Sequence, residues 1–180
     1  MASVNQVQLQ AAGEFGTAAM QAFDQGGTFP AEMVIGATAR MAGSFLFRSL
    51  GLPLTGVQAG SVVLSEQANQ QGPRLIQILA TVLQNIGVKL DSSKLSAAQG
   101  APRGLEESFL ETQKVLETRF VAIRERHGLS DGEAADSVAV AAAILIKRCS
   151  NSLDPHVGFA LAVYAFIEGS KTAPAVYGTP

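Results

Sequence analysis

The sequence predicts an all-α fold, a compact bundle of about six helices, and three observations carry that expectation. Apolar residues recur at three- and four-residue steps over long windows, which is the period of one helical face. Glycine, proline and capping residues fall between those windows, where helices start and stop. The longest wholly apolar run, counting Gly and Tyr as apolar, covers residues 157–167, and the next covers 138–146. A membrane-spanning helix needs about 20 such residues. Runs this short suit the buried helices of a core, and no membrane insertion is expected.

The first helix is predicted over residues 4–24. Val4, Val7, Ala11, Phe15, Ala18 and Ala22 form its apolar stripe, with Gln6, Gln8, Gln10 and Glu14 mostly off it. Gly26 and Gly27 end it. The second helix covers 30–50. Pro30 suits a first turn, and Gly51 followed by Pro53 makes a stop. Gly36, Ala39 and Gly43 line up at three- and four-residue spacing, so another helix can approach closely. Arg40 and Arg48 interrupt an otherwise apolar segment.

Residues 51–64 read as a Gly/Pro-rich loop, with a short extended piece at 61–64. Ser65 is a candidate N-cap. The third helix is expected to be broken: a short piece at 66–71, an interruption at Gly72-Pro73, and a resumption over 74–86. Residues 88–104 are mainly connection, with a short helix near 93–99.

The fourth helix spans about 105–127. Leu105, Phe109, Leu116, Phe120 and Ile123 share one face. Its acids lead and its bases follow, which complements the helix macrodipole. Leu129-Ser130-Asp131-Gly132-Glu133 then reads as a capping box with a hydrophobic staple. The fifth helix follows to about 150 and is almost wholly apolar between Asp136 and Lys147, so a central place is expected. Asp154-Pro155 starts the sixth, which runs to about 168 and is apolar nearly all round. Two such helices imply burial on most sides. One helical domain over 1–169 and an irregular tail over 170–180 account for the chain.

Composition bounds the function. Of the 180 residues 47% are hydrophobic, with nine Phe, two Tyr and no Trp, so alanine supplies much of the apolar mass. Charged residues are only 16% and the formal net charge is -2. No basic patch offers itself to phosphate, so no nucleic-acid partner is expected. Cys149 is the single cysteine, which forbids an internal disulfide and fits a reducing, cytoplasmic setting. The first residues lack the basic and apolar regions of a signal peptide.

Chemistry-bearing residues are sparse. His127 follows Arg126 and precedes a helix-ending glycine, a capping position, and has no metal-ligating neighbour. Cys149 and His156 stand seven apart across a turn, the one nucleophile pair that can be named. The helix C-terminus at Cys149 disfavours a thiolate, so a packed thiol is expected. Glu106, Glu107 and Glu111 read as a solvated acidic face. Phosphate loops and nucleophile elbows have no match in the chain. Neither a cofactor, a metal nor a catalytic group is expected.

The segment from Arg40 to Gln71 stands out, because an arginine on an apolar face needs a partner. Glu66 is the nearest candidate acid, with Asn69 beside it. Read functionally, Arg40, Arg48, Glu66 and Asn69 bind an anionic group; read structurally, they are an ion pair that holds the loop to the bundle.

The leading functional expectation is a non-catalytic helical protein that self-associates, as a dimer first, or binds a protein partner. It rests on more apolar helix surface than one small bundle hides. The alternative is a small-molecule protein for an anionic or amphipathic ligand, with a pocket between helices lined by Phe45 and Phe47. An enzyme ranks third.

Overall fold

The structure, a computed structural model, describes residues 4–98 and 107–175. These form seven helices: α1 (Gln6–Ala22), α2 (Ala31–Ser49), α3 (Glu66–Asn85), α4 (Ser92–Ala98), α5 (Phe109–Arg126), α6 (Asp131–Arg148) and α7 (Pro155–Lys171). Six are long, and α4 is the short helix expected near 93–99. The all-α bundle read from the sequence is the fold observed. No helix among the described residues is long and apolar enough to cross a membrane.

The small residues of α2 decide the architecture. Ala31 and every residue from Val34 to Phe47 are buried. α2 lies against α7 on one side and α6 on another, with α1, α3 and α5 around it. At the α2–α7 crossing the backbones touch. A Cβ on Gly43 would fall 2.5 Å from the Phe166 carbonyl oxygen, and one on Gly169 would overlap the Arg40 carbonyl oxygen outright. Only glycine fits there. The expected stripe of small residues on α2 thus meets a matching glycine on α7.

The two most apolar helices differ in burial. α6 is buried along most of its length, as a central helix should be. α7 is not buried on most sides: Val157, Tyr164 and Ile167 stay exposed. The reason is geometric: α6 is packed among α1, α2 and α3, whereas α7 packs chiefly against α2.

α3 also departs from expectation. It continues from Glu66 to Asn85 straight through Gly72 and Pro73. Pro73 cannot bond the carbonyl four residues back, that of Asn69. Both residues are exposed, so water can take the missing donor's place and the helix survives.

Helix starts follow the sequence closely. The Ser130/Glu133 capping box is present at α6, and Asp154 caps α7 with Pro155 in the first turn. A second box, Ser108 with Glu111, sets the start of α5 at Phe109. Leu105 and Glu106, assigned to that helix from sequence, lie outside the described residues.

The loop over 51–64 gains one feature at its end. Val62 makes an antiparallel bridge with Thr172. The Val63 amide donates to the Lys171 carbonyl at 2.7 Å, and the Gly60 amide to that of Ala173 at 2.8 Å. α7 therefore runs to Lys171, and the chain after it is pinned to the loop. Beyond that, Gln113 of α5 brackets Ala175, accepting its N–H at 2.9 Å and donating to its carbonyl at 3.1 Å. Residues 176–180 of the expected tail lie outside the described residues.

Candidate functional site

Arg40, Ser44 and Arg48 recur at four-residue steps, so they share one face of α2. Arg40 is 3% exposed. Its Nε donates to Glu168 Oε2 at 2.7 Å and its second terminal nitrogen to Glu168 Oε1 at 3.2 Å. The other terminal nitrogen donates to the Glu107 carbonyl at 2.7 Å and to Thr112 Oγ1 at 2.9 Å. The planar guanidinium is thus filled from α5 and α7 together.

Arg48 pairs with Glu117 of α5 at 2.6 Å and lies 5.6 Å from the Phe45 ring centre. The other oxygen of Glu117 accepts from Gln113 at 3.2 Å. Thr112, Gln113 and Glu117 are all buried. A polar seam therefore runs between α2 and α5, closed by Glu168 at one end and tied through Gln113 to Ala175 at the other. Each of these ion pairs has one buried member, Arg40 or Glu117, which needs good geometry to offset the loss of water. Arg40 meets this with four hydrogen bonds, whereas Arg48 has its ion pair with Glu117 and the Phe45 ring, and Gln113 supports Glu117.

The expected site residues are not gathered. The acid on Arg40 is Glu168 and the acid on Arg48 is Glu117; Glu66 is neither. Glu66 opens α3, exposed, and takes a bond from Gln70 at 3.4 Å. Asn69 lies on the exposed surface of α3. Phe45 and Phe47 are core side chains, and Phe45 packs on Phe15 at 6.2 Å between ring centres. Glu168 had a signal in the sequence, as the only acid on an apolar helix, which is the counterpart of an arginine on one. Thr112 and Gln113 had none, since neither residue type implies burial.

Asp136 of α6 is a third buried charged residue. Arg74 of α3 approaches it at 3.0 Å, but Oδ1 makes no aligned hydrogen bond. Burial pushes its carboxyl above the usual aspartate range; Arg74 pulls the other way and Glu133 adds to the rise.

The remaining candidates are separated or occupied. Cys149 is buried, and burial raises its thiol, so a thiolate is disfavoured. His156 has both ring nitrogens engaged, with Asp154 at 2.7 Å and the Asp91 amide at 3.0 Å. His127 caps α5 and contacts Glu14 at 2.9 Å. Among the described residues no group of three His, Cys, Asp or Glu side chains could hold a metal ion. An open groove of about 510 Å³ lies between α1 and α5, lined by Gln10, Gly13, Thr17, Ile123 and the Glu14–Arg126 pair. It takes in none of Arg40, Arg48, Glu66 and Asn69.

What the surface does present is an apolar face. Val157, Tyr164 and Ile167 lie along the outer side of α7, with Tyr164 50% and Ile167 46% exposed. The bridge at Thr172 brings Val62 and Leu64 beside the end of that helix, and Leu64 is 80% exposed. The fold and these features define an all-α bundle with a polar seam inside and an apolar strip outside. No family model matches the chain, and no significant similarity to a curated protein or a solved structure was found.

Proposed function

We propose that this protein is a non-catalytic helical module that works by associating with a second copy of itself through the outer face of α7. The observation that supports this reading is the exposed strip of Val157, Tyr164 and Ile167, extended by Val62 and Leu64. Monomers rarely leave contiguous apolar patches of more than a few hundred Å² in water. Burying such a strip contributes on the order of 25 cal/mol per Å² before the costs of association.

A second copy fits this face on charge grounds. α7 begins with Asp154 and His156 and ends with Lys171. Two α7 helices paired antiparallel, about an axis between Ala162 and Val163, set Asp154 of each copy opposite Lys171 of the other. The arrangement is two-fold and self-complementary. The two helix dipoles also oppose each other favourably. The arginines support a structural reading beside this, because their charge is met inside the chain. The lone, buried Cys149 fits a reducing, cytoplasmic setting for such a module.

Light scattering across a wide concentration range tests the reading. The expected result is twice the chain mass, reverting to one chain in a Tyr164→Glu, Ile167→Glu double variant that keeps its helical circular dichroism. A monomer at every concentration overturns it and leaves a different protein as the occupant of the face. A dimer indifferent to the double variant overturns the assignment to α7.

A further inference from the structure

One histidine ties the start of α4 to α7. His156 sits in the first turn of α7, with Nδ1 2.7 Å from Asp154 Oδ1. Its Nε2 accepts the backbone N–H of Asp91, the residue just before α4, at 3.0 Å. A neutral imidazole has one nitrogen that donates and one that accepts. Here the acceptor must be Nε2, because an amide N–H points at it. This geometry assigns the ring proton of the neutral form to Nδ1, facing the Asp154 carboxylate.

Protonation at Nε2 replaces that acceptor with a donor aimed at another donor. The bond to Asp91 then has no acceptor, while the bond to Asp154 is strengthened by charge. We propose that His156 is a proton-operated latch: a proton taken up at Nε2 releases the Asp91 amide from α7, and the rest of the bundle keeps its shape.

The surroundings set the extent of the release. Upstream, Val88 is buried and its N–H is bonded to the Leu83 carbonyl at 2.8 Å, so the chain stays seated to that point. Asp91, Ser92, Ser93 and Lys94 are all exposed, so little apolar burial holds the first turn of α4. Leu95, half-buried, is the next anchor. The ionisable groups that act here are Asp154 from the start of α7, and Asp91 and Lys94 from the α4 side. At this end α2 and α6 present Ile35 and Ile146 to Gly158, which are apolar. The Asp91 carboxylate is committed to its own turn, accepting from the Ser93 amide at 2.8 Å and hydroxyl at 2.7 Å. It is therefore not poised to replace the lost acceptor.

The inference stands apart from self-association and needs only the folded chain. Its test is amide hydrogen exchange and chemical shift by NMR on the full chain, from pH 7.5 downward, with the His156 ring signal followed in the same samples. As that ring titrates, the Asp91 amide is expected to shift and to lose more than tenfold of its protection, after correction for the intrinsic pH effect. The Val88 amide is expected to stay protected, and His156→Ala to leave Asp91 unprotected at every pH. A titrated ring with an unchanged Asp91 amide overturns the latch. A ring that stays neutral until the chain unfolds overturns it too, as does an Asp91 amide that follows pH equally in His156→Ala.

Discussion

At the scale of single residues, two positions show how context sets the sign of a change. Gly169 and Gly13 both sit inside helices. A Cβ at Gly169 has nowhere to go but into the backbone of α2, whereas one at Gly13 meets nothing within 4 Å. Gly169→Ala is therefore expected to cost about 3 kcal/mol or more, because backbone cannot be repacked as a side chain can. Gly13→Ala is expected to stabilise by about 0.5–1 kcal/mol by removing backbone freedom from the unfolded chain. Urea midpoints of the two variants, at unchanged slope, check the pair.

Asp136 gives a prediction in pH. Its carboxyl is raised by burial in the folded state from an ordinary value of 3.8, so the folded chain holds its proton longer than the unfolded chain does. Stability from this group is fully present below that value and falls as pH rises through the folded one. Asp136→Asn removes the dependence. Arg74, more than a third exposed, can turn to water when its partner is neutral. At pH 7 the variant is expected to melt at or above the wild type, with the advantage shrinking as pH falls toward 4. A variant that melts well below wild type at pH 7 yet matches it at acid pH reverses the sign and rejects this account.

At the scale of elements, the polar seam is where α5 is oriented. α5 has an apolar face, but its Thr112 and Glu117 meet Arg40 and Arg48 of α2 through a hydrogen bond and charge. Glu168→Leu is expected to cost on the order of 3 kcal/mol, since it leaves Arg40 buried with its main acceptor gone. Arg40→Met combined with Glu168→Leu is expected to recover most of that loss, because two apolar side chains need no partner. Denaturation of the two single variants and the double closes the cycle. A loss that persists undiminished in the double variant assigns the cost to packing rather than to charge.

Elements also show how far the residues speak for themselves. The capping box at the start of α6 was legible because a cap is local: Ser130 and Glu133 are three apart, and the bonds they make need nothing from the rest of the chain. Pro73 was misleading for the complementary reason. Proline removes one local bond, about 3 kcal/mol in an isolated helix, and a helix held by Leu75, Ile78, Leu79 and Leu83 in the core tolerates that loss. The partners of Arg40 and Arg48 were illegible in the same sense. Glu168 lies 128 residues from Arg40, and no spacing rule reaches across that distance.

At the scale of the whole molecule, α2 is the organising element, because small side chains let neighbours approach it from several sides. That arrangement buries α6 and leaves α7 half open, although the two helices are equally apolar to the eye. The strip left open on α7 is what makes an interaction module the best-supported reading. By itself, the sequence determined the all-α class, most of the helix starts and stops, and the need of two arginines for partners, since periodicity, caps and lone charges are all local properties. Only the tertiary structure decided which acids meet those arginines, that Gly169 rather than a nearer residue faces Gly43, and which side of α7 stays in water. Those are contacts between segments far apart in the chain, and they follow from how the helices pack, which no local pattern records.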